Sequence, residues 1–191
     1  MNFFLGFFPD EKSKYSISKI IADIQEVFED QQMPVRWSKP DSYHMTVLHI
    51  GNKLPFYRKI LLKRKLKNFQ LKNFTIRFNA IKLGISRKYK DLIYLDTKEG
   101  GEEMRNLLLI FRKTLGISDI GNFIPHLTLG RVSNDLTKQE YTNICKDLNF
   151  FSKKLDVQDI SFEVNDIQLI KNDENNYEVL MNLSELSNKS L

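Results

Sequence analysis

Apolar positions recur along this chain in two rhythms. Residues 12–31 set Ile17, Ile20, Ile21, Ile24, Val27 and Phe28 three or four apart with charges between them, the spacing of an amphipathic helix. Residues 102–115 repeat it with Met104, Leu107, Leu108, Phe111 and Leu115. Thr137 and Glu140 have capping-box spacing, in which each side chain satisfies a backbone N–H at a helix start. Tyr141, Ile144, Cys145 and Leu148 then continue along one helical face. Elsewhere the period is two. "FTIRFNAIKLGI" (74–85) and "DLIYLDT" (91–97) alternate as strands, with "SRKYK" as the turn of their hairpin. "NFFLGFF" (2–8), "YHMTVLHI", "HLTLGRV", "ISFEVNDIQLIK" and "YEVLMNL" read as five more strands, the last two joined by the polar turn "NDENN". Pro34 and Pro40 bracket an extended "VRWSK", and Pro55 opens a basic helical segment, "FYRKILLKRKLKNF". Residues 184–191 are expected to fray.

The resulting order is β-α-β-α-β-β-α-β-α-β-β, with no Gly/Ser linker or low-complexity tract to divide it. The economical architecture is one α+β domain over residues 1–191, made of two similar lobes, each with its own antiparallel sheet.

Composition narrows the class. In 191 residues, 41% are hydrophobic and 28% charged, which reads as soluble and globular. No apolar run approaches the ~20 residues of a membrane span. The opening "MNFFLGFF" lacks a basic leader and stops at Pro9-Asp10-Glu11, so it reads as a buried strand rather than a signal peptide. The single cysteine, Cys145, has no internal disulfide partner and falls on an apolar helical face, where a core role is expected. No Cys/His cluster has zinc spacing. A cytoplasmic protein with no metal, no cofactor and no membrane partner is the expectation.

The net charge of +5 conceals a polarised chain. Residues 42–90 contain 13 Lys or Arg and no Asp or Glu, whereas residues 135–191 hold 11 acidic residues against 6 basic ones. A concentrated positive field attracts phosphates and polyanions. A solvated lysine-rich face has the same composition.

One chemical pattern occurs twice. Two of the three histidines stand in an H-x-T frame, His44-Met45-Thr46 and His126-Leu127-Thr128, 82 residues apart. On a strand, residues i and i+2 share a face about 6–7 Å apart. Two such strands side by side would bring together two imidazoles and two hydroxyls. Imidazoles titrate near neutrality and can serve as one base and one acid, and hydroxyls can hold phosphate oxygens. On residue types alone the pattern also fits two ordinary strands, since threonine is a good strand former. By the same strand parity, the third histidine, His49, points away from His44 and Thr46 and reads as structural. Trp37, Tyr43 and Phe123 flank the motifs and could stack a base or simply pack.

"RWSKPDSYHMTVLHIG" and "FIPHLTLGRV" resemble the two signature segments of the 2H phosphoesterase superfamily. The nearest likeness is to RNA 2′,3′-cyclic phosphodiesterases, also called 2′-5′ RNA ligases, and it covers most of residues 2–133. The resemblance implies a bilobal α+β fold, with two antiparallel sheets flanking a central cleft and helices outside. It implies metal-independent hydrolysis of RNA 2′,3′-cyclic phosphate ends to a 2′-phosphate, with reversible 2′-5′ ligation as a possible reverse reaction. Carried over by position, His44 and His126 are the catalytic pair, and Thr46 and Thr128 bind phosphate. Arg131 matches a basic position of the pattern and would assist the phosphate. RNA 3′ termini or cyclic nucleotides are the implied partners, and a monomer the implied state. The chain departs from the pattern at Asn2, where members often have arginine, and at His49, where they often have phenylalanine. These differences bear on substrate. A phosphodiesterase for another 2′-linked or cyclic nucleotide, and a nucleotide- or RNA-binding module without turnover, are the alternatives.

Overall fold

A computed structural model of the chain describes residues 1–30, 32–86, 89–118, 122–132, 136–174 and 176–187. The strands are β1 (Asn2–Phe7), β2 (Val35–Trp37), β3 (Met45–Gly51), β4 (Phe74–Leu83), β5 (Leu92–Glu99), β6 (His126–Val132), β7 (Ser161–Val164), β8 (Gln168–Asp173) and β9 (Asn176–Asn182). The helices are α1 (Glu11–Asp30), α2 (Phe56–Leu66), α3 (Gly101–Leu115), α4 (Lys138–Lys154) and the short α5 (Ser184–Ser187). They build two antiparallel sheets with flanking helices, the bilobal α+β architecture expected. One sheet has the order β3-β1-β8-β9 and the other β2-β6-β5-β4-β7.

The helices form where the apolar spacing puts them. Asp10 accepts a hydrogen bond from the Ser13 N–H at 2.7 Å and caps α1. Ile17, Ile20, Ile21, Ile24 and Phe28 are buried along its inner face. The side chain of Val27 lies outside the described residues. The Thr137–Glu140 capping box opens α4 with both of its reciprocal bonds. α2 is anchored by Leu62 and Leu66, and its Lys63, Arg64 and Lys65 are exposed. One continuous core joins these faces to Leu5, Phe7, Met45, Ile76, Phe78, Leu95 and Leu127. Burial contributes roughly 1.5–3 kcal/mol for each such side chain.

Three segments differ from the sequence reading. "ISFEVNDIQLIK" is two strands, not one: β7 pairs with β4 in the five-stranded sheet, and β8 pairs with β1 in the other. At the break, Asp166 accepts the N–H groups of Ile167 and Ser184 at 2.8 and 3.0 Å, which ties the sheet change to the end of β9. "VRWSK" contains a true strand, β2, paired with β6. Of the tail expected to fray, 184–187 form one helical turn and 188–191 lie outside the described residues. Within "SRKYK", Ser86 and Tyr89 form an isolated bridge, and 87–88 lie outside the described residues.

Candidate active site

The two H-x-T segments sit on different sheets. His44 immediately precedes β3, and His126 opens β6. Cα atoms of β3 and β6 come within 8 Å of each other, and the charge of His126 acts on His44, so the two histidines are neighbours although their strands belong to different sheets.

Both histidines are held in the same way. His44 Nδ1 lies 2.7 Å from the carbonyl oxygen of Ser42, and His126 Nδ1 lies 2.7 Å from that of Ile124. In each case the partner is the carbonyl two residues upstream. A carbonyl only accepts, so each Nδ1 carries the proton and donates. Each neutral imidazole is thereby fixed with its lone pair on Nε2, and each charged one with a proton there to give.

The surroundings favour the neutral forms. The His44 ring lies between Phe4 and Tyr177, with centroids 4.9 and 4.8 Å away. Burial lowers its pKa below the usual 6.5, the bond to Ser42 partly opposes this, and the charge of His126 lowers it further. His126 meets the edge of Tyr94 at 5.7 Å. Burial again lowers its pKa most. The Ile124 carbonyl and the Asp96 carboxylate oppose the shift, and the Arg131 guanidinium reinforces it. Thr46 and Thr128 are both half-buried.

Strand register decides which other side chains share the site. β1 pairs with β3 as Phe4 with His49, Leu5 with Leu48, and Gly6 with Thr46, leaving Val47 unpaired. β5 pairs with β6 as Leu92 with Arg131, Ile93 with Gly130, and Tyr94 with Thr128, leaving Leu129 unpaired. Each unpaired residue is a β-bulge, which shifts the alternation of faces by one. Simple parity would turn Arg131 away from His126 and Thr128; the bulge returns it to their face. The same device overturns the parity reading of His49, which shares a face with Thr46, Gly6 and Phe4 rather than pointing away.

Arg131 is fixed there by Asp91, with 2.7 Å between nitrogen and carboxylate oxygen, and by the Tyr89 ring, 5.7 Å from the guanidinium carbon. Asp91 is buried and otherwise would be a costly lone charge. Arg36 pairs with Arg131 across β2 and β6, placing a second, exposed guanidinium on this face. Lys82 also faces the cleft and forms an ion pair with Asp96.

The flanking aromatics are used for packing. Trp37 stands edge-on to Phe28 of α1 at 5.5 Å, Tyr43 is buried with its hydroxyl 3.3 Å from that of Ser18, and Phe123 packs on the core. Cys145 is half-buried against the core, and burial raises its thiol pKa, which disfavours the reactive thiolate. Tyr177, Tyr94 and Asp91 escaped the sequence reading. Nothing local marks Tyr177, on the last strand, as a neighbour of His44. Among the described residues no group of three or more His, Cys, Asp or Glu could hold a metal ion, and no helix is long and apolar enough to cross a membrane.

No family model matches the chain, and no curated protein matches its sequence. Solved structures do match its fold. Apo LigT of E. coli superposes with a TM-score of 0.68 at 15% identity, covering 95% of each chain. TT0787 of Thermus thermophilus gives 0.66 at 14% identity, covering 95% of this chain and 96% of that one. Usb1 of Kluyveromyces marxianus gives 0.57 at 10%, covering 94% and 96%. LigT has also been solved with phosphate and with 3′-AMP. The chain therefore has the fold of these proteins over nearly its whole length, which is the fold that the resemblance to 2H phosphoesterases implies.

Proposed function

We propose that the protein is a 2H phosphoesterase that hydrolyses RNA 2′,3′-cyclic phosphate ends to 2′-phosphates, with His44 and His126 as acid and base. The observation that carries this reading is the matched pair of imidazoles across the cleft, each with Nδ1 committed to a backbone carbonyl and Nε2 left for substrate. In the reaction, water attacks phosphorus in line with the 3′-oxygen. One histidine takes the water's proton at Nε2. The other, protonated, gives its Nε2 proton to the departing 3′-oxygen, leaving the phosphate on the 2′-oxygen. Thr46 and Thr128 donate to the non-bridging oxygens, and Arg131, aimed by Asp91, offsets the charge that develops there. The LigT complexes with phosphate and 3′-AMP support a nucleotide phosphate as the ligand of such a cleft.

The reading is tested by incubating the protein with a 2′,3′-cyclic mononucleotide and a cyclic-ended RNA oligomer and identifying the product. A 2′-phosphate is expected. Turnover of only a 2′-5′-linked or another cyclic nucleotide would replace the substrate, and binding without turnover would make the protein a nucleotide- or RNA-binding module.

A further inference from the structure

The two H-x-T strands are alike beyond the motif. On β3, Thr46 is followed by the bulged Val47, then Leu48 and His49; on β6, Thr128 is followed by the bulged Leu129, then Gly130 and Arg131. The bulge falls at the same offset on both strands. Each therefore returns the residue three beyond the threonine to the threonine's own face, two pairing steps along, or about 7 Å. By this internal symmetry His49 stands on its wall of the cleft where Arg131 stands on the other.

The environments of these two residues differ in an informative way. Arg131 is committed to Asp91 and the Tyr89 ring. His49 is exposed, and among the described residues no hydrogen bond or ring contact holds it; the ring of Phe4, its cross-strand partner, leans on His44 and Tyr177 instead. The remaining cleft-facing positions of that sheet, including Gln168, Ile170 and Tyr177, carry no acid that would neutralise it. On the opposite wall, Asp96 and Asp91 are already paired with Lys82 and Arg131.

We propose that His49 contacts the phosphodiester next to the reacting phosphate and so makes the site prefer oligonucleotide ends over mononucleotides. This rests on the functional reading above. The reacting phosphate belongs to the threonines, and a side chain two pairing steps further along the strand meets the next anionic group of the chain. An imidazole donates to phosphate oxygens whether neutral or charged.

The test compares wild type with His49→Leu and His49→Arg on a 2′,3′-cyclic mononucleotide and on a dinucleotide with the same cyclic end. Affinities for the matching 2′-phosphate mononucleotide and dinucleotide are measured alongside. The leucine variant is expected to lower the dinucleotide-to-mononucleotide ratio of kcat/KM, and of affinity, roughly twofold to fivefold, the scale of one solvent-exposed charge contact. The arginine variant should restore or exceed the wild-type ratio. An exposed position should leave the melting temperature of both variants near that of wild type. The same ratio in all three proteins, whether through no loss or equal loss on both ligands, overturns the proposal. If wild type hydrolyses neither cyclic substrate, the hydrolase reading fails on its own, and the affinity ratio still decides for or against His49. If wild type binds neither ligand, both fall.

Discussion

Val47 and Leu129 occupy equivalent places: each is the one unpaired residue directly after a motif threonine, and each turns a basic side chain back into the cleft. The site depends on these irregularities as much as on the histidines. On an ideal strand the face of His44 and Thr46 would continue with Leu48, and that of His126 and Thr128 with Gly130, adding no polar group to either wall.

If Nε2 of each histidine moves a proton, His44→Ala and His126→Ala should each lower kcat about 10²–10⁴-fold. Substrate affinity should fall far less. Steady-state kinetics with a cyclic mononucleotide, beside direct binding of the 2′-phosphate product, separates the two effects. Full turnover after loss of either ring would end the acid–base assignment.

Both imidazoles have folded pKa values below the usual 6.5. If one of them is the catalytic acid, that acid is lost from the free protein as pH rises through a value under 6.5, and the alkaline limb of kcat/KM should begin on the acid side of that point. Bound phosphate favours imidazolium, so the limb in kcat should lie at higher pH. A pH series of initial rates measures both.

The same shifts govern stability. Below 6.5 the unfolded histidines bind protons that the folded ones resist. Stability contributed by the neutral rings is thus present above 6.5 and is lost as pH falls through the folded pKa values. Urea midpoints should decline over that window more steeply in wild type than in a His44→Gln/His126→Gln variant. Parallel curves would show that these rings do not set the acid sensitivity.

Gly6 faces Thr46 across the bulge, and a Cβ there would lie 2.3 Å from the carbonyl oxygen of Met45. Backbone cannot yield as a side-chain tip does, so Gly6→Ala should destabilise by about 1–3 kcal/mol. Because the shift falls on β3, activity should drop beyond what the unfolded fraction explains. A thermal melt and a rate measured well below it make the comparison.

Lys63, Arg64 and Lys65 are exposed on α2 in the acid-free stretch, although Lys65 also reaches the Leu115 carbonyl at 3.3 Å. If this helix tracks RNA beyond the terminal nucleotide, removing the three charges should weaken oligomer binding and flatten its salt dependence. Mononucleotide turnover should change little. An unaltered salt slope would mark the three as a solvated face.

The helices, most strands, the Thr137 cap and the paired H-x-T frames were legible in the sequence, because helical spacing, strand alternation and capping are local. Ile17, Ile20, Ile21, Ile24 and Phe28 face the core for the reason their spacing announces. Three features were not legible. The apolar phase changes across Asn165-Asp166, from Phe162 and Val164 to Ile167 and Leu169, but that β7 and β8 join different sheets depends on which strands they meet. The place of Tyr177 beside His44 depends on β9 joining an edge of the sheet that β3 bounds at the other. The faces of His49 and Arg131 depend on bulges, which are properties of a pair of strands and not of one. Sequence by itself determined the candidate reacting groups and their frame. Only the tertiary structure decided which further side chains join them, because register is set between segments far apart in the chain and one unpaired residue reverses every face beyond it.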